Sequence, residues 1–142
     1  MTRLTLAALT ALMLPAAAQA TQPTTGSTFR TLAPDRSDLG DFRWSDRPVL
    51  IFAPGQDDPQ YQQALAALRL AEAELVDRQI VVLTDATPGQ GQLRDALDID
   101  GFTMLLVGKD GGVKLRSDQV IQPEEIFATI DRMPMRQREM QD

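Results

Sequence analysis

The sequence predicts an α/β domain on a mixed sheet of about four strands, ordered β-α-β, then a short helix, a β-β hairpin and a closing helix. Three observations carry this. Residues 49–53 and 80–83 are apolar at every position, as strands covered on both faces are. Between them Tyr61, Leu65, Leu68, Ala71 and Leu75 recur at helical spacing. Later, Gly108-Lys109-Asp110-Gly111-Gly112 joins two further apolar stretches with the residues that tight hairpin turns require.

In chain order, residues 1–20 read as a secretory signal peptide. Arg3 supplies the positive start, an apolar run follows to Leu14, and Ala18-Gln19-Ala20 fits a small-residue cleavage pattern, with Thr21 as the new N-terminus. The run is too short to span a bilayer, which takes about 20 apolar residues. Residues 21–41, rich in Thr, Ser, Pro, Gly and Asp, read as a flexible arm. The domain proper is placed at 42–142, with Phe42 and Trp44 packed onto it and Trp44 buried. Pro48 introduces the first strand, and Asp58 with Pro59 suits a helix start. That helix runs to Asp77-Arg78. Leu93, Ala96 and Leu97 suggest a short helix, and residues 103–107 and 113–116 the hairpin strands. Gln122-Pro123-Glu124-Glu125 opens the last helix, whose stripe is Ile126, Phe127, Ile130 and Met133. Pro134 stops or kinks it. The charged tail to Asp142 reads as frayed.

Composition excludes whole classes of chemistry. The chain has no cysteine and no histidine. Disulfides, catalytic thiols, serine–histidine and cysteine–histidine mechanisms and ordinary zinc sites are therefore ruled out. The net charge is −6, and loss of Arg3 with the leader makes it one unit more negative. That balance disfavours nucleic acid. The mature chain, roughly 120 residues, is the length of one domain.

The order of elements resembles a minimal thioredoxin-like fold. Residues 49–53 are similar to the strand that leads into the thioredoxin active-site loop. Leu97, Ile99, Gly101 and Thr103 resemble the entry to its third core strand, although Phe102 stands where the family has proline. Gln56-Asp57-Asp58-Pro59 occupies the place of the two cysteines. A closer similarity is to a thioredoxin- or peroxiredoxin-like domain family of unknown function. It rests on Phe42-Arg43-Trp44, Arg47-Pro48, Leu50-Ile51-Phe52-Ala53-Pro54, Asp57-Asp58-Pro59-Gln60-Tyr61, Gly101-Phe102-Thr103, the stretch 108–117 and Ile130-Asp131-Arg132-Met133-Pro134-Met135-Arg136. The resemblance implies this fold and an extracytoplasmic setting, with relatives among exported bacterial proteins and animal sushi-repeat and matrix-associated proteins. It implies no activity and no catalytic residues.

Two groups are candidate binding residues. Asp57 and Asp58 sit at a helix start, where they can cap it or serve as base or cation ligand. Lys109, Lys114 and Arg116 form a basic group on the hairpin. Strand alternation sets Lys114 and Arg116 on the face opposite Val113 and Leu115, where they can guard an edge or hold an anion. Met133, Met135 and Met140 are soft-metal donors by type, but read as core and helix end, and Asp98 and Asp100 as loop caps. The reading is of an exported, non-redox thioredoxin-like binding module with no metal and no cofactor. Its partner is a protein or small anionic ligand; nucleic acid and membrane insertion after signal cleavage are not expected. The alternative is a cysteine-free enzyme using Asp57 or Asp58, with Lys114 or Arg116 fixing an anionic substrate. In either case the purified chain is expected to show no dithiol-reductase or thiol-peroxidase turnover, and measurable turnover in either assay would refute the placement of residues 56–59 in the redox loop.

Overall fold

The computed structural model describes residues 27–87, 89 and 91–142. The leader and residues 21–26 of the arm lie outside them. Among the described residues the order is β1 (Phe29–Thr31), a 3-10 turn (Gly40–Phe42), β2 (Arg47–Phe52), α1 (Pro59–Leu70), α2 (Glu72–Asp77), β3 (Ile80–Asp85), α3 (Gln92–Ala96), β4 (Thr103–Val107), β5 (Val113–Ser117), α4 (Pro123–Asp131) and α5 (Pro134–Glu139).

The strands form one mixed sheet in the order β1-β3-β2-β4-β5. β1 and β2 run parallel to β3, while β4 is antiparallel to β2 and β5 to β4. β2, β3 and β4 are buried almost throughout, which explains their uninterrupted apolar sequence. Alternation sends Val49, Ile51, Val82, Met104 and Leu106 to one core, shared with Tyr61, Leu65, Leu68, Leu75, Ile126 and Ile130 of the helices. Leu50, Phe52, Val81, Leu83 and Leu105 face the other core, closed by Leu32, Phe42 and Leu93. The sheet is thus sandwiched, with α1, α2 and α4 on one face and α3 and the 3-10 turn on the other.

Three readings of the sequence change. First, the sheet begins inside the stretch read as an arm. β1 pairs with β3, Val82 N–H donates to Thr28 O (2.7 Å) and Leu32 N–H to Thr84 O (2.8 Å), and Leu32 is buried. A three-residue edge strand needs only one covered face, so it hides in polar composition. Second, the single helix expected to Asp77 breaks at Ala71, which caps α1 and opens α2. Third, the tail is not frayed. Pro134 starts α5, and Arg136 is buried there.

At the carboxyl ends of β2 and β3 lies a buried ion pair. Arg94 Nε donates to Asp85 Oδ2 (3.2 Å), and its Nη2 donates to the carbonyls of Ala53 and Asp85 (3.0 Å each). Asp85 Oδ1 accepts from Thr87 N–H (3.0 Å). The carboxylate lies so close to Gly91 that a Cβ there would meet Oδ2 at 3.2 Å, and Gly91 has φ +118°, so glycine is required twice over. Removing one charge leaves the other buried and unpaired. Arg94→Met is therefore expected to lower stability by about 3–5 kcal/mol, with Asp85→Asn added on top restoring part of the loss. Urea denaturation of both variants measures this.

Candidate functional site

Asp58, at the position of the redox loop, caps α1: its Oδ1 accepts from Tyr61 N–H (3.0 Å), and Pro59 follows at the first helical position. Asp57 beside it is exposed. Among the described residues no group of three or more acidic side chains is placed to hold a metal ion.

The hairpin does not gather its three cations. Lys114 pairs with Asp110 (2.9 Å) across the turn. Arg116 donates to Leu97 O (2.8 Å) and Asp98 O (3.2 Å), closing the carboxyl end of α3, where Asp98 takes φ +54°. Lys109 turns inward and is buried. Nor do the acids meet the bases. β5 runs alongside β4 so that Ser117 lies near the end of β2 that leads to Asp57 and Asp58, while Lys114 is three residues further away, about 10 Å along the strand. Arg116, the neighbour of Ser117, is turned to the carbonyls of Leu97 and Asp98. The edge position expected for the last hairpin strand is found.

The structure instead assembles a charged cluster at the other end of the sheet, where β2 and β3 begin. Arg47, the first residue of β2, is 1 % exposed. Its Nη1 donates to Arg78 O (2.8 Å) and Glu139 Oε2 (3.2 Å), and its Nη2 to Glu139 Oε1 (3.2 Å). Lys109 Nζ donates to the same Oε1 (2.5 Å) and to Gln79 Oε1. Arg136 reaches Asp77 (2.6 Å) and Asp131 (3.4 Å), and Arg78 grips Asp131 with two hydrogen bonds (3.0 and 2.9 Å) while stacking over Phe127 at 4.5 Å. The Arg78 hydrogen bonds, against the pull of burial, hold the Asp131 carboxyl below its ordinary range. Burial alone would raise Glu139, but the hydrogen bonds and charges of Lys109 and Arg47 outweigh it and hold that carboxyl low as well.

Two features border this cluster. A concavity of 230 Å³ is lined by Arg47, Lys109, Lys114, Met133, Pro134 and Met135, together with the turn residues Gly108 and Asp110. Met140, in contrast, is exposed at the end of α5. The second feature is Trp44. It was expected to be buried, but its residue is 63 % exposed and its backbone has φ +67°. Its N–H donates to Lys109 O (2.7 Å), and the Ser45 and Asp46 N–H groups after it return to Phe42 O (3.1 and 2.9 Å), closing the turn. Phe42, two residues earlier, is buried as expected.

Sequence reasoning passed over Arg47, Arg136 and Glu139, which form the buried cluster. The one available signal was Arg47 itself, a cation at the head of an unbroken apolar strand, where no solvated position exists.

The matched family is the one described as a domain of unknown function (DUF4174), over residues 38–139, and the chain belongs to it. In fold it is similar to the reduced 2-Cys peroxiredoxin of Plasmodium vivax, with 16 % identity, a TM-score of 0.54, and coverage of 73 % of this chain and 85 % of that one. It is also similar to a chloroplastic thioredoxin z, with 21 % identity, a TM-score of 0.48, and coverage of 61 % and 76 %. The peroxiredoxin likeness shows a thioredoxin-like α/β fold, here with a five-stranded mixed sheet and without cysteine.

The Glu139 shift has a sign that can be tested. Its folded-state value lies below the unfolded one, near 4.3, so its stabilisation is complete above that pH and fades as pH falls through the folded value. Glu139→Gln is expected to cost about 3 kcal/mol at pH 7, because Arg47 loses its counter-ion, and the deficit is expected to shrink below about pH 4. Denaturation curves of both proteins between pH 3 and pH 7 measure it.

Proposed function

We propose that this is an exported, non-redox binding module whose protein partner docks around Trp44 and Arg43. The observation that carries the reading is the exposed indole on a left-handed backbone. A non-glycine residue there costs about 1–3 kcal/mol, and an exposed side chain returns little of that to folding. Tryptophan and arginine are the residues most enriched at the energetic centres of interfaces. Arg43 precedes Trp44, and its guanidinium lies against Gly111 of the hairpin turn. The loop that bears thiols in thioredoxins has Asp58 committed to a helix cap, which leaves this end of the sheet as the better candidate surface. Export is supported by the charged start, apolar run and cleavage pattern of residues 1–20. No helix among the described residues is long and apolar enough to cross a membrane.

The test is a crosslinking capture from the native extracytoplasmic fraction, with Trp44→Ala and the Lys114→Ala/Arg116→Ala double variant as comparisons. The mass of the recovered chain is expected to place its N-terminus at Thr21. A partner retained by the wild type and the double variant and lost by Trp44→Ala, whose circular dichroism is unchanged, is the expected result. Equal capture by Trp44→Ala would refute the docking surface. Recovery of the chain in the cytoplasm with residues 1–20 intact would refute export.

A further inference from the structure

The cluster beneath the hairpin does not balance. Arg78 and Arg136 are matched by Asp77 and Asp131, with Glu74 also acting on Arg78, whereas Arg47 and Lys109 have only Glu139 between them. One positive charge is left over in a chain whose net charge is −6. Arg47 and Lys109, which share the single carboxylate of Glu139, are both more than nine-tenths buried and both line the concavity. Lys114, across the cavity, is already neutralised by Asp110. Donors are also left over. Arg47 Nε is the one buried side-chain nitrogen or oxygen without a partner among the described residues. The Lys109 ammonium has three protons and two acceptors. A buried cation without a counter-ion of its own is costly, and an anion relieves it.

The rest of the wall is of another kind. Met133, Pro134 and Met135 contribute apolar surface, and thioethers adapt to varied shapes. Gly108 keeps the hairpin side open: a Cβ there would meet Lys114 Cε at 2.7 Å and Asp110 Oδ1 at 2.9 Å, so any larger residue would displace the pair that borders the cavity. At 230 Å³ the space is smaller than the roughly 300–1,000 Å³ of pockets for drug-sized ligands.

We propose that this concavity binds a small monocarboxylate with a short apolar body, its carboxylate taken up by Lys109 in the field of Arg47 and its body laid against Met133, Pro134 and Met135. The single excess charge selects a monoanion over a dianion such as phosphate. The fork of Arg47 already holds Glu139, so the incoming carboxylate is met by the remaining proton of Lys109. The apolar wall requires a hydrocarbon portion. This site is distinct from the partner surface at Trp44, and its test is read independently of partner capture.

The experiment titrates the isotopically labelled full-length mature chain with hexanoate, hexanamide and inorganic phosphate, followed by amide chemical shifts and melting temperature. Hexanoate is expected to give saturable shifts at Gly108, Lys109 and Asp110 and to raise Tm, with hexanamide and phosphate at least about tenfold weaker. Met135→Trp, which fills the cavity and leaves every charged residue of the cluster in place, is expected to keep the fold and abolish the hexanoate shifts. Trp44→Ala is expected to leave them in place. The proposal is overturned by absence of saturable hexanoate shifts, by hexanamide or phosphate binding as tightly, or by shifts that persist in Met135→Trp. None of these outcomes bears on capture of a protein partner.

Discussion

Burial of the Arg47 guanidinium is the constraint on which the closing end of the domain depends. A strand that starts the central sheet with a fully buried cation needs a counter-ion inside the protein, because an unpaired buried charge costs several kcal/mol. No nearby acid serves; Asp46 is engaged with Ser45 (2.9 Å). The carboxylate arrives instead from Glu139, 92 residues along the chain. α5 is built to deliver it. Pro134 begins the helix at its first position, and Arg136, one turn before Glu139, ties it to Asp77 of α2 and Asp131 of α4. The last helix is therefore docked by charge more than by apolar packing, in contrast to α1 and α4, which bury regular apolar stripes.

The two ends of the sheet are finished differently. At the carboxyl ends of β2 and β3, Asp58 caps a helix and Asp85 is paired with Arg94, whose remaining hydrogen bonds fall on backbone carbonyls. Each of these carboxylates has a structural partner. At the opposite end cations outnumber carboxylates, an arginine Nε has no acceptor, and a tryptophan is held out on strained backbone. Polar imbalance and strain persist in folded proteins where something other than folding maintains them. Left-handed backbone occurs at both ends, at Asp98 and at Trp44, but the exposed indole and the unpartnered Arg47 Nε both lie at the β2 amino end.

What could be read from the sequence divides along the same line. The three central strands were legible because burial on both faces leaves no polar position, and the hairpin because its turn needs glycine. Lys109, Lys114 and Arg116 are neighbours in sequence and looked like one patch. The turn residues 108–112 break strand alternation, so Lys109 faces the cluster, Lys114 folds back on Asp110, and Arg116 reaches α3. No pattern of period two or 3.6 records that. α5 was illegible because Pro-Met-Arg-Gln-Arg-Glu has no apolar stripe, and its partners lie on distant segments. Trp44 was misread because hydrophobicity argues for burial, whereas its backbone sits in the left-handed region of a tight turn and its side chain is exposed.

Lys109 joins the two proposed surfaces. Its carbonyl accepts from Trp44 N–H, and its ammonium lies at the cavity between Gln79 and Glu139. One residue of the hairpin turn thus ties together three segments far apart in sequence: the turn that carries Trp44, the approach to β3 at Gln79, and α5 at Glu139.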